Sequence, residues 1–148
     1  MNIQTKYFNE ITIEEKDILH FEHGVPGFLE EKQFVLLPLT EDNVYYVLQS
    51  VQTSELAFVV TNPFLFFKEY DFNLDDATVE QLEIKDATDV AVYSILTLQD
   101  PFEKTTANLQ APIIINTKNN HAKQVILNDE KYTTKHPLFK ASPASVKG

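Results

Sequence analysis

The sequence predicts an all-β fold: a small closed or partly open antiparallel β-barrel with one or two short helices. Three observations carry that prediction. Eight or more short runs rich in β-branched and aromatic residues follow one another, turn-forming residues separate them, and only one segment has helical spacing. No internal repeat divides the chain, and strands do not alternate with helices as a parallel sheet requires. At 148 residues the chain has the length of one domain and can bury a core without covalent staples.

The elements follow in order. Ile3, Thr5 and Tyr7 alternate with polar residues, as do Ile11 and Ile13 after Asn9 and Glu10, which predicts an opening hairpin. Residues 17–22 form a short strand leading into the turn that holds both internal glycines. In Val25-Pro26-Gly27-Phe28, Pro26 presets φ at the second position and Gly27 supplies positive φ at the third, the pattern of a type II turn. Gly24, Pro26, Gly27 and Phe28 are therefore structural turn residues, with Phe21 and Phe28 expected to fold inward and pin the loop to the core. Residues 33–37 make a strand ending at Pro38, residues 40–43 turn the chain, and residues 44–48 return antiparallel. Residues 56–61 form the next strand, closed by Asn62-Pro63 because proline has no N–H to give a ladder.

Phe64, Leu65, Phe66 and Phe67 then form an apolar run, read either as a strand buried on both faces or as an exposed patch. Residues 70–74 alternate as a strand does, and Asp75 or Asp76 caps a short helix over residues 77–83 with Val79 and Leu82 on one face. Residues 89–98 form a long strand. Pro112 opens another at 113–116, and Asn119-Asn120 tolerates positive φ before a last strand in 122–127. The barrel domain is assigned to residues 1–139. Residues 140–148 have no apolar period and are read as a mobile tail or an expression remnant.

Composition restricts the chemistry. The chain has no cysteine, which excludes disulfides, a zinc ribbon and a cysteine nucleophile and suits a reducing compartment. It starts without the charged and apolar pattern of a secretory signal, and no apolar segment approaches a membrane span, so a cytoplasmic protein with no membrane partner is expected. The net charge of −10 is unevenly placed: residues 1–103 carry 5 lysines against 20 acids, and residues 104–148 carry 7 lysines against 2. All twelve basic residues are lysines. Without arginine and with an acidic balance, direct nucleic-acid binding is not expected, and a basic or amphipathic protein partner is.

His20 and His23 stand three apart in a strand, so they point to opposite faces and do not share a metal. The acid pairs Glu14-Glu15, Glu30-Glu31 and Asp75-Asp76 are sequence neighbours that diverge in space, and nothing sets an acid and a base about one bond. Two internal glycines cannot make a phosphate loop, and Ser50, Ser54 and Ser94 lack the surroundings of a nucleophile. No enzyme, cofactor or metal site is expected. What remains is surface: Phe64, Leu65, Phe66 and Phe67 followed by Glu69, Asp71, Asp75, Asp76 and Glu80, an apolar patch rimmed by acids and a candidate partner-binding region. The lysines of the C-terminal third, Lys123, Lys131, Lys135 and Lys140, offer a separate contact.

Several segments together resemble the FliW flagellar assembly factor family. They are His23-Gly24-Val25-Pro26-Gly27-Phe28, Val60-Thr61-Asn62-Pro63-Phe64 with Tyr70-Asp71-Phe72, Ser94-Ile95-Leu96-Thr97-Leu98, and the stretch 106–116, which ends in Pro112-Ile113-Ile114-Ile115-Asn116. Gln124-Val125-Ile126-Leu127 and Thr134-Lys135-His136-Pro137-Leu138-Phe139 continue the pattern, so it covers nearly the whole chain in order. The resemblance implies a small β-barrel acting as a cytosolic partner switch. Such a protein binds flagellin and, once flagellin is exported, binds the translational repressor CsrA and relieves repression of flagellin mRNA. The competing reading is a small-ligand-binding or flavin-binding split barrel, which the missing arginines and phosphate-binding glycines disfavour.

Overall fold

The computed structural model describes residues 1–139, so the expected tail at 140–148 lies outside the described residues. Alternating apolar residues build the opening hairpin, β1 (Asn2–Thr5) and β2 (Asn9–Thr12), which pairs Ile3 with Ile11 and turns back through Asn9 at φ 59°. A larger antiparallel meander follows: β3 (Ile18–His20), β4 (Gln33–Pro38), β5 (Tyr45–Ser50), β6 (Ala57–Thr61) and β7 (Val90–Thr97). Then come β8 (Thr106–Ala107), β9 (Ile113–Asn116), β10 (Ala122–Gln124) and β11 (His136–Pro137). The one α-helix among the described residues, α1 (Asp76–Gln81), lies between β6 and β7.

The sheet runs β10-β9-β7-β6-β5-β4-β3, with β8 joined to β7 and β11 to β8. It curls until its two end strands almost meet. There a single parallel bridge, His20 to His121, spans the seam, with the His20 N–H donating to the Asn120 carbonyl at 2.8 Å and the Asn120 side chain donating to the Lys16 carbonyl at 2.7 Å. The fold is a partly open barrel.

Strands from both ends of the path fill its interior: Leu19, Phe34, Leu48, Val60, Ile113 and Ala122 form one buried cluster with Phe21 and Val25 of the glycine turn. The outer face is also covered. Ile113 and Ile115 point into the barrel while Ile114 packs outside with Leu82 and Val125; Val60 is inside and Val59 outside with Tyr70 and Leu109. Elsewhere the hairpin's Ile3 and Ile13 cover Ile18 and Val35. This double burial is why these strands read as near-continuous apolar runs instead of alternating ones. Gln49, wholly buried, ties the hairpin to the barrel by accepting from the Lys6 N–H at 3.0 Å.

The turn at 25–28 has the expected form: Gly27 lies at φ 87°, and the Phe28 N–H donates to the Val25 carbonyl at 2.8 Å. Phe21 is buried as expected, but Phe28 is 42% exposed and only leans its ring edge on Phe58 at 6.0 Å. Two other expectations are corrected. Phe64 and Leu65 belong to a 3-10 turn (Pro63–Leu65), not to a strand, because Pro63 at its start and the Asn62 side chain, accepting from the Phe64 N–H at 2.9 Å, favour helical geometry. Residues 70–74 are extended but pair with no strand among the described residues; their alternation records Tyr70, Phe72 and Leu74 turning inward onto the barrel's outer wall.

Candidate functional site

The segment linking β6 to α1 carries most of the residues the sequence singles out, and the fold divides them between two grooves. Phe64 and Leu65 stand 41% and 56% exposed on the 3-10 turn. Phe66 and Phe67 bend back half-buried, Phe66 against Tyr45 and Phe139, and Phe67 edge-on to His136 at 5.1 Å. Tyr70 anchors the segment. Its ring packs at 4.7 Å on Tyr132, and its hydroxyl donates to the Leu109 carbonyl at 2.7 Å. Burial, with a smaller push from neighbouring Tyr132, raises the Tyr70 phenol far above its usual range, so this donor keeps its proton at any working pH. Tyr132 clips the next residue: its hydroxyl accepts from the Asp71 N–H at 3.0 Å and donates to the Asp71 carbonyl at 2.9 Å.

Beyond this clip lies the first groove, about 520 Å³, between the extended segment and α1. Phe64, Phe72, Leu74, Val79, Ile84 and Val92 make its apolar walls, and Ile114, fully buried, lies at its floor. Asp71 and Asp86 stand on its rim, with Lys85 next to Asp86. Helix α1 forms one wall because Asp75 caps it, accepting from the Thr78 N–H at 2.8 Å. At its other end the Asn116 side chain donates to the Leu82 carbonyl at 2.8 Å, fixing the helix to β9. The second groove, about 740 Å³, opens on the other side of Tyr70 and is lined by Phe66, Phe67, Lys68, Glu69, Lys131 and His136 among others.

Of the candidate residues, Phe64 and Asp71 therefore meet in the first groove, and Phe66, Phe67 and Glu69 in the second. Asp75 borders a smaller cleft of about 160 Å³ behind α1 and spends its carboxylate on the cap. Leu65, Asp76 and Glu80 are exposed and line none of these three. The sequence reading missed the first groove's main apolar wall, Phe72, Leu74, Val79 and Ile84. The 3.6-residue period of α1 and the alternation of 70–74 were its visible signals, but neither says that the two elements face each other. Among the described residues no three histidines or acids are set to hold a metal; His20 faces His121 across the seam at 6.4 Å, not His23. No helix among them is long and apolar enough to cross a membrane.

Comparison with known proteins places this geometry. A family model described as FliW protein matches residues 2–138. The chain belongs to the FliW family. It is 58% identical over 138 residues to the flagellar assembly factor FliW of Bacillus subtilis (strain 168), covering 93% of this chain and 96% of that one. The FliW of Geobacillus kaustophilus (strain HTA426) is 59% identical over 139 residues, 94% of this chain and 96% of the relative. Among solved structures, a crystal structure of the flagellar assembly factor FliW superposes with a TM-score of 0.90 at 55% identity, covering 95% of this chain and 98% of that one.

Proposed function

We propose that this chain is a cytoplasmic flagellar assembly factor acting as a partner switch, which binds flagellin and, when free of it, binds and antagonises the translational repressor CsrA. Membership of the FliW family over nearly the full chain carries this reading. The first groove gives it a physical basis: an apolar trough suits the buried face of an amphipathic helix, and an acidic rim suits a basic partner. No catalytic group is needed, since the output is occupancy.

A repressor of mRNA presents positive charge to phosphates, so an acidic domain docked beside it repels approaching RNA without covering the RNA site. One charge pair about 10 Å apart contributes roughly 0.4 kcal/mol in water before screening, so the acids must act as a group. Asp71 and Asp86 on the rim, with Glu83 and Asp89 close to Asp86 in sequence, outnumber Lys85 and supply one.

Titrating purified CsrA and flagellin against the protein and two variants tests the reading. Asp71→Asn/Asp86→Asn is expected to slow association with CsrA, with an effect that shrinks as salt rises, because exposed charges are screened over about 8 Å at physiological ionic strength. Phe64→Ser is expected to weaken flagellin binding at either salt while leaving the melting temperature nearly unchanged, since Phe64 is 41% exposed. Wild-type binding of both partners by both variants would remove this groove from the mechanism.

A further inference from the structure

We propose that the outward edge of β10, with the residues just after it, takes an extended, β-branched segment of a protein partner as an added strand. Pairing along β9 continues past the end of β10. The Val125 N–H donates to the Pro112 carbonyl at 3.0 Å and the Leu127 N–H to the Gln110 carbonyl at 2.7 Å, in the register that sets Lys123 opposite Ile114. An antiparallel ladder uses alternate residues, so positions 121, 123, 125 and 127 spend their backbone groups on this side, and 122, 124 and 126 turn theirs to the other. That other side is the seam, where the one bridge to β3 occupies the backbone around His121. Past the bridge β3 has ended: the Phe21 N–H donates to the Lys32 carbonyl at 2.8 Å, and the chain leaves into the glycine turn. Among the described residues the N–H and carbonyl of Gln124 and the N–H of Ile126 therefore have no hydrogen-bond partner.

Residues 124 and 126 stand about 7 Å apart on one edge, the two-residue repeat of an extended chain, and a second extended backbone answers their donors and acceptor at that spacing. Strand edges are commonly guarded by lysine, proline or a covering element. Here Lys123 is turned to α1, its ammonium donating to the Gln81 side chain at 2.7 Å, and no proline stands between residues 113 and 136. The Gln124 side chain reaches the other way, donating to the Ala111 carbonyl at 3.0 Å. Ile126, 60% exposed, offers a β-branched side chain for cross-strand contact, which favours β-branched residues in the occupant. Two nearer occupants fit less well. A second copy brings another net charge of −10 to the contact, and residues 140–148 hold one β-branched residue, Val146, and are interrupted by Pro143.

The probe is a soluble peptide of alternating threonine and valine, titrated into the isotope-labelled protein while amide exchange is followed by NMR. The Gln124 and Ile126 amides are expected to exchange readily without peptide and to slow at least about tenfold when it binds, while those of Val125 and Leu127, already bonded, change little. That alternation marks strand addition, since contact through side chains alone does not sort neighbouring amides by parity. Ile126→Pro removes an edge donor without touching the β9 ladder, and Ile126→Lys sets a charge on the edge; both are expected to weaken binding at least about tenfold with melting temperatures near the parent's. No slowing at Gln124 and Ile126, equal slowing at all four amides, or parental binding by both variants overturns the proposal. Protection of Gln124 and Ile126 without peptide overturns it too, making residues 140–148 the covering element if it goes with their removal, and a second copy if it goes on dilution. Neither residue lines the first groove, so Asp71→Asn/Asp86→Asn is expected to bind the peptide as the parent does, and failure here leaves the role proposed for that groove standing.

Discussion

The two internal glycines have different reasons to be glycine. Gly27 lies at φ 87° in the type II turn, and among the described residues nothing comes within 4 Å of where a Cβ would stand, so backbone conformation is what opposes a side chain. Gly24 lies at φ 69° and would place a Cβ 2.3 Å from the Leu29 carbonyl oxygen, a backbone atom that cannot swing away. Gly27→Ala should therefore lose about 1–2 kcal/mol, the cost of a side chain in left-handed geometry, and Gly24→Ala clearly more. Urea melts of the two variants check the order. Asp75 is a second single-residue case. Hydrogen bonds to Thr78, side chain first and backbone second, hold its carboxyl below the usual value, with Lys123 adding a smaller pull. A carboxyl depressed by folding stabilises the native state above its unfolded value and loses that effect as pH falls through the folded one. Asp42 and Asp86 are lowered for similar local reasons, so melting temperature should decline below about pH 4. Asp75→Asn, which still caps but does not titrate, should flatten part of that decline in a pH series of melts.

At the scale of elements, α1 is too short to persist alone and depends on its attachments. Leu82 buries against Ile114, Glu83 ends the helix at φ 56°, and the buried Asn116 amide donates to the carbonyls of Leu82 and Glu83 at 2.8 and 3.3 Å. Asn119 adds a further donor to the Leu82 carbonyl at 3.1 Å. Asn116→Ala removes this buried donor, leaving the Leu82 carbonyl to Asn119 alone and the Glu83 carbonyl without it, and should cost about 1–3 kcal/mol. Because Asn116 does not line the first groove, weaker partner binding by this variant would come from movement of the α1 wall. Thermal melts paired with partner titrations separate the two effects.

For the whole molecule, the decisive feature is a sheet that curls almost shut and is pinned at one seam. Asn120 works there twice, through its carbonyl to the His20 N–H and through its side chain to the Lys16 carbonyl, and it does so at φ 61°. Asn120→Ala should lose both the side-chain bond and the tolerance of that backbone, about 1–3 kcal/mol together, whereas Asn120→Gly loses only the bond. Hydrogen exchange should show the His20 amide opening faster in both variants than in the parent. Equal protection in all three would mean that the side-chain bond at Asn120 does not hold the barrel closed.

Much of this architecture is legible in one dimension. Period-two alternation places β1, short apolar and β-branched runs bounded by turn residues place β4, β5, β6, β7 and β9, Pro26-Gly27 gives the turn, Asp75-Asp76 marks the start of α1, and the motifs along residues 23–139 identify the family. These are local signals, fixed by φ preferences, side-chain alternation and capping, and they do not depend on what lies across the core. The two-residue strands β8 and β11 left no such signal, since a two-residue bridge has no period. Tertiary structure alone decided that residues 70–74 lie unpaired on the outer wall, that Phe64 and Phe67 serve different grooves, and that Lys131 comes to the same groove as Lys68. Each of these depends on which distant segment packs against which face, and residues 60 or more positions apart, like Asp71 and Tyr132 at a separation of 61, meet only when the whole sheet has curled.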